Sequence, residues 1–333
     1  MNTLLFRLPT FVFFLCLSQA SLVSLCRAGI VTFGSGANEF DLEFVAIGNV
    51  GNTADQTSIP SPIGSVAYAY QMGKYEVSRG MINSYNTLFG TSNSREITMQ
   101  TLAGSNTSGE AAGGISWNEA ARFINWLNME KGYSAAYKFL TDGVNDNASA
   151  WDSSDAGYDG SNPYRNRNAV FVLPTLDEWY KAAYFNPVDG SWRDYASLDG
   201  NLPSVTSGGT SPNTAVYNNQ PGPAEITQAG GLNAYGIMGM NGNVREWDSS
   251  LAGTDNRGLL GGSWSENASF LAASFRNDRY PDNEYMTNGF RIAQLTSSSG
   301  SSTSSTPEPT SLAILGGVAL ITASYRRRKL TSR

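Results

Sequence analysis

The chain has 333 residues and not one histidine, and its two cysteines, Cys16 and Cys26, both stand within the first 28 positions. Without imidazole there is no Ser-His-Asp or Cys-His nucleophile pair, no side chain whose ordinary pKa lies near neutrality, and no histidine triad for iron. Any catalysis falls to carboxylates, Tyr, Lys, Arg or the cysteines. Positive charge is scarce too. Of 22 Lys and Arg, Arg7 and Arg27 lie near the N-terminus and Arg326, Arg327, Arg328, Lys329 and Arg333 at the C-terminus, which leaves 15 against 28 acidic residues, a net charge of −13 for residues 29–325. That balance argues against a nucleic-acid partner.

The cysteines sit in a segment with the marks of a signal peptide. Arg7 precedes the apolar run Phe11 to Leu17, and a second apolar patch ends at Cys26-Arg27-Ala28, with small residues at the minus-three and minus-one places. Residues 1–28 are therefore expected to be removed on export, with the cut after Ala20 or after Ala28. The later cut leaves a chain with neither Cys nor His, held by its core rather than by disulfides. Residues 29–295 are ample for one large domain.

The C-terminus reads as a separate unit. Residues 296–306 are almost entirely Ser and Thr with one Gly, a composition that cannot bury a core and predicts a flexible linker. Pro307-Glu308-Pro309 follows, then the apolar stretch Leu312 to Ala323, then Tyr325-Arg-Arg-Arg-Lys329. The apolar stretch is short for a bilayer span, which takes about 20 residues, and the basic cluster after it would hold that end inside. These three elements, in this order within 307–333, resemble the PEP-CTERM sorting signal of exopolysaccharide-producing bacteria. The resemblance implies export, recognition of Pro307, Glu308 and Pro309 by an exosortase-type enzyme, at least transient membrane contact through the apolar segment, and delivery to the cell envelope, surface or matrix. An ordinary single-helix anchor is the alternative.

Between the two ends, Phe40 to Ile47 and Val66 to Met72 alternate like half-buried strands. Capping boxes predict two helices, one opening at Ser116 with Glu119 and one at Thr175 with Glu178; a third is predicted after Ser78, carrying Met81, Ile82 and Tyr85. The remainder is rich in Gly, Asn, Ser and Pro. The reading is α+β with a large loop content. The acidic stretch 141–168, with Asp142, Asp146, Asp152, Asp155 and Asp159, lacks the alternation of a Ca²⁺ loop and reads as solvated surface.

Seven strings then occur in one order: Lys74-Tyr-Glu-Val-Ser78, Ile115-Ser-Trp-Asn-Glu-Ala120, Leu173-Pro-Thr-Leu-Asp-Glu-Trp179, Tyr235-Gly236 leading to Gly242-Asn-Val-Arg-Glu-Trp247, Leu260-Gly-Gly-Ser-Trp264, Arg276 with Arg279, and Asn288-Gly-Phe-Arg291. In this the chain resembles the formylglycine-generating enzymes of the sulfatase-modifying-factor superfamily, over about residues 42–294. The resemblance implies a loop-rich relative of the C-type lectin fold. It also implies a structural Ca²⁺ held by Asn243, the Val244 carbonyl and Glu246, an all-oxygen set suited to a hard cation. Arg245 stands where many relatives have Trp. Arg291 is expected to stitch loops together through a buried salt bridge or carbonyl contacts.

The same resemblance places two copper-binding cysteines three and eight residues after Ser263, where soft Cu(I) takes thiolates. This chain has Glu266 and Leu271 there. A second branch of the superfamily binds iron through histidines, and none is present. No copper or iron cofactor is therefore expected. Trp247, Ser263, Trp264, Glu266, Arg276 and Arg279 are expected to line or border a cleft for a peptide or glycan, in an exported binding or matrix module, the alternative being packed core for Trp247 and Trp264 and loop stitching for Arg276 and Arg279. The rival reading is an enzyme, either a protein-modifying oxidoreductase of the same class with unrecognised chemistry or a carboxylate hydrolase using Glu266 and Glu246.

Overall fold

The computed structural model describes residues 29–58, 60–101 and 106–296. The signal segment, the linker beyond Thr296, and Pro307, Glu308 and Pro309 with the rest of the tail lie outside the described residues. Among the described residues no helix is long and apolar enough to cross a membrane.

Among the described residues two larger sheets and three α-helices carry the fold, with long loops between them. The first sheet has five strands in the order β1 (Gly29–Phe33), β2 (Phe40–Ile47), β3 (Tyr70–Gly73), β11 (Ala293–Leu295) and β4 (Phe171–Val172), every neighbour antiparallel. A short parallel pair, β5 (Ser204–Val205) with β6 (Thr214–Ala215), stands apart. The other sheet has the order β10 (Asn288–Gly289), β7 (Arg245–Ala252), β8 (Asn256–Leu260) and β9 (Asn277–Arg279); β7, β8 and β9 are antiparallel and β10 runs parallel to β7. The α+β, loop-rich architecture read from the sequence is the one observed.

Local chemistry explains the helices. α1 (Arg79–Tyr85), α2 (Trp117–Glu130) and α3 (Leu176–Tyr184) each begin on a hydroxyl that accepts a backbone N–H three residues on: Ser78 from Met81 at 3.3 Å, Ser116 from Glu119 at 3.1 Å, Thr175 from Glu178 at 3.2 Å. The Glu119 and Glu178 carboxylates reach back to the cap residue's N–H at 2.8 and 2.7 Å and close the box. α2 stops at Gly132, whose φ of +71° continues the chain in the left-handed region, with Tyr133 N–H donating to the Asn128 carbonyl at 2.8 Å.

The core gathers Phe33, Phe44, Tyr70, Phe123, Phe171, Trp179, Trp247 and Phe290. Asn128 pins β4 to α2 by donating to the Phe171 carbonyl at 2.8 Å and accepting from the N–H groups of Val170 and Phe171. Strand β3 is shorter than the alternation at Val66 to Met72 predicts. The reason is competition: the Val66 carbonyl accepts from Gly51 N–H and its own N–H donates to the Asn52 side chain, so a loop takes the bonds a ladder would need. The Tyr68 hydroxyl turns to Glu178 and Arg165.

Candidate functional site

The loop entering β7 is built on unusual backbone. Gly242 and Asn243 have φ of +78° and +59°, and a Cβ on Gly242 would stand 2.2 Å from the Val216 carbonyl oxygen, so only glycine fits this crossing. Asn243 N–H donates to that same Val216 carbonyl at 2.8 Å, and Trp264 N–H donates to the Asn243 carbonyl at 2.8 Å. The Gly-Gly-Ser-Trp segment is thereby fastened to the start of β7.

Asn243, Val244 and Glu246 are all buried. The Asn243 side-chain oxygen accepts from Ala224 N–H at 2.7 Å while its amide donates to Glu76, and Val244 N–H donates to the other Glu76 oxygen at 3.1 Å. One Glu246 oxygen accepts from Trp179 Nε1 and Arg291 Nε, both at 2.6 Å, and the other accepts from Arg291 Nη2 at 2.5 Å. Arg291 also donates to the carbonyls of Gly73 and Met238, each at 2.9 Å, so it makes both the salt bridge and the carbonyl contacts expected of it. The side-chain oxygens assigned to Ca²⁺ are engaged by hydrogen-bond donors, and a guanidinium already supplies the positive charge at Glu246. This donor set does not fit Ca²⁺ at Asn243, Val244 and Glu246. Burial first, and the nearby charge of Glu246 second, push the Glu76 carboxyl well above the usual carboxylate range.

On the neighbouring surface Arg245 and Glu266 form a bidentate pair, with Arg245 Nε donating to one Glu266 oxygen at 2.7 Å and Nη2 donating to the other. Ser263 Oγ donates to Glu266 at 3.0 Å. The Arg245 guanidinium lies 5.7 Å from the centre of the Phe270 ring. Burial, and the like charge of Arg279, hold the Arg245 guanidinium below its usual range. Leu271 is fully buried beside Ala215 and Tyr217. One position that the family resemblance gives to copper thiolates is thus the acidic half of an ion pair, and the other is core.

The six residues expected in a cleft separate. Trp247 belongs to the core: it is fully buried and its indole N–H donates to the Ile115 carbonyl at 2.8 Å, which corrects its placement as a cleft wall. Ser263 and Glu266 come together with Arg245. Trp264 packs on Val216 and Ala224, its indole nitrogen buried with no partner among the described residues. Arg276 pairs with the buried Asp248 at 3.2 Å, and Asp248 and Arg276 meet over Gly258, on the opposite face of the second sheet from Arg245. Arg279 is half-buried, spans 5.7 Å to the Tyr285 ring, and donates from Nη1 to Asn277 and the Asp278 carbonyl. The adjoining Tyr280, Tyr285 and Met286 are 60%, 53% and 43% exposed, so large apolar side chains concentrate on one loop. Glu246 and Glu266 each hold an arginine and do not form the free carboxylate pair a hydrolase needs.

Residues 34–295 match the family described as sulfatase-modifying factor enzyme 1-like domain. A protein named hercynine oxygenase from Mycolicibacterium smegmatis is 32% identical over 149 residues, and one of the same name from Mycobacterium tuberculosis is 32% identical over 145. Each alignment covers 36% of this chain and 32% of the relative, so the chain spans about a third of the length of the curated relatives it matches. Among solved structures, Treponema denticola variable protein 1 shares the fold with a TM-score of 0.55 and 22% identity over 80% of this chain and 99% of that one.

Proposed function

Since the chain belongs to the sulfatase-modifying factor enzyme 1-like family, we propose that it is a non-catalytic member of that family, an exported module that binds a peptide or glycan at the cell surface or in its matrix. One observation carries the reading: Glu266, at the place where the family resemblance puts a thiolate, is held by Arg245 and Ser263. An ion pair at that point is neither a copper ligand nor a free acid or base. The ligand surface is the loop 279–286, where Arg279 and the exposed rings of Tyr280 and Tyr285 offer flat apolar faces beside polar donors. The N-terminal segment would direct export, and Pro307, Glu308 and Pro309 would present the chain to an exosortase-type enzyme.

The test is binding of the purified chain to glycan and peptide arrays, with Arg279→Ala and Tyr285→Ala compared at matched thermal stability. Each substitution should weaken binding at least tenfold. Ligand binding that neither substitution changes would overturn the assignment of this surface.

A second reading is favoured by the 32% identity to proteins named oxygenases. In that reading the chain is an oxidoreductase whose redox centre has different ligands. It must find them without imidazole or thiolate, because residues 29–296 contain neither His nor Cys.

A further inference from the structure

The loop 279–286 is fastened at four carbonyls, each by a different anchor. Asn118 N–H, in the first turn of α2, donates to the Pro281 carbonyl at 3.1 Å, and Gly114 N–H donates to the Tyr285 carbonyl at 3.2 Å. The Gln100 side chain donates to the Glu284 carbonyl, and the Asn145 side chain to the Asp282 carbonyl at 3.0 Å. Asn145 also donates to the Glu284 carboxylate at 2.7 Å. A carbonyl and a carboxylate only accept, so the Asn145 amide NH₂ must face both. Asn145 is in turn set by the scaffold. The fully buried Asn118 donates through its side chain to the Asn145 carbonyl and to Asn147 Oδ1, each at 2.9 Å, and Arg122 donates to the Thr141 carbonyl at 2.9 Å. The stretch 141–168, which reads as solvated surface in the sequence, thus grips the loop from which the exposed rings of Tyr280 and Tyr285 project.

We propose that Asn145 is the positioning residue of this loop: it holds Asp282 and Glu284 in place before a ligand arrives, so that Tyr280 and Tyr285 are presented in one arrangement. The inference rests on the assignment of the ligand surface to residues 279–286 and names what keeps that surface in order. A loop ordered in advance loses less freedom on binding. Releasing it therefore lowers affinity although no contact with the ligand is removed.

The experiment is limited chymotrypsin digestion at pH 8 of the full chain, Asn145→Ala and Asn145→Asp, with cleavage after Tyr285 and after Phe123, which is buried on α2, followed by mass spectrometry. Cleavage of the native chain tracks the population of the opened segment. Loss of one bond to a carboxylate and one to a carbonyl should raise cleavage after Tyr285 about tenfold or more in Asn145→Ala. Asn145→Asp, which sets a second carboxylate against Glu284, should raise it further. Cleavage after Phe123 should rise much less, whereas a role in overall stability alone would raise both sites alike. On the glycan and peptide arrays, Asn145→Ala should weaken binding about threefold or more at matched folded fraction. It should add nothing to the loss in Tyr285→Ala, because the ring it positions is gone. Faster cleavage after Tyr285 with unchanged array binding would uphold the hold of Asn145 on the loop and remove the ligand surface from it. Cleavage after Tyr285 at the parent rate in both variants, or a rise no greater than that after Phe123, overturns the proposal.

Discussion

Arg245 grips Glu266 through both ends of its guanidinium fork, Nε to one oxygen at 2.7 Å and Nη2 to the other, across 21 residues of sequence. The pair is only slightly exposed, 12% for the Arg245 side chain and 9% for Glu266, so each charge depends on the other. Both residues depart from the pattern of the formylglycine-generating enzymes, one from Trp and one from Cys. The two departures are complementary in charge, and the bidentate ion pair they form stands where the resemblance puts one of the two thiolates.

The clasp predicts a thermodynamic cycle. Glu266→Ala strands the Arg245 charge and should destabilise the fold by about 1 to 3 kcal/mol. Arg245→Met with Glu266→Leu should recover most of that loss, because an apolar pair of similar volume avoids the desolvation of both ions. Urea denaturation of the parent chain, Arg245→Met, Glu266→Leu and the double variant measures the coupling. Additive losses would show that the pair does not act as a unit.

The buried Glu246–Arg291 pair carries a different prediction. Glu246→Gln leaves a guanidinium without its carboxylate in a site closed to water, at a cost of about 3 to 5 kcal/mol. Because that carboxylate is already satisfied, the thermal midpoint should be the same in millimolar Ca²⁺ and in excess EDTA. A Ca²⁺-dependent rise that Glu246→Gln abolishes would restore the metal site.

Lys181 sets a pH dependence. It is buried on α3, donates to the Asn49 carbonyl at 3.0 Å, and burial brings its pKa down to about 8. The unfolded chain holds that proton up to about 10.4. Between these values the unfolded state binds more protons, so this residue makes stability rise with pH from about 8 towards 10.4; below about 8 it is charged in both states and adds no slope. The stability of the parent chain relative to Lys181→Met, followed from pH 7 to pH 10 by chemical denaturation, should rise across that window. A pH-independent difference would show that Lys181 is not desolvated.

Trp247 and Trp264 separate the core from the surface. Trp247→Ala removes a fully buried ring whose N–H is bonded to the Ile115 carbonyl and should cost about 3 to 5 kcal/mol. It should not alter ligand affinity at matched folded fraction. A loss of affinity without a loss of stability would return Trp247 to a binding wall.

What could be read from the chain alone follows the range of the interactions. Helices α2 and α3 were legible because each cap and its partner lie three residues apart, as at Thr175 and Glu178, and α1 through Met81, Ile82 and Tyr85 after Ser78. Strand β2 was legible through its alternation, bounded as observed at Phe40 and Ile47. Hairpin β7–β8 was not, because its buried Glu246 and Asp248 look like surface residues until Arg291 and Arg276, 45 and 28 residues away, neutralise them. Trp247 was misplaced because an aromatic in a glycine-rich segment suits a cleft and a core equally, and the Ile115 carbonyl that decides the matter is 132 residues distant. The Arg245–Glu266 clasp had a signal in the sequence, two departures of opposite charge from one family pattern. The burial of Glu76 had none, since its partners Asn243 and Val244 are 167 and 168 residues away.

The central claim is that the Ser263–Glu266 region holds an ion pair in place of an oxygen-activating centre. Oxygen uptake by the purified chain, with and without added copper and in the presence of a sulfatase-type cysteine peptide, tests it most directly. The account predicts no uptake above that of copper with peptide alone, and the same trace for Arg245→Ala. Copper-dependent uptake accompanied by conversion of the peptide cysteine to formylglycine would contradict it.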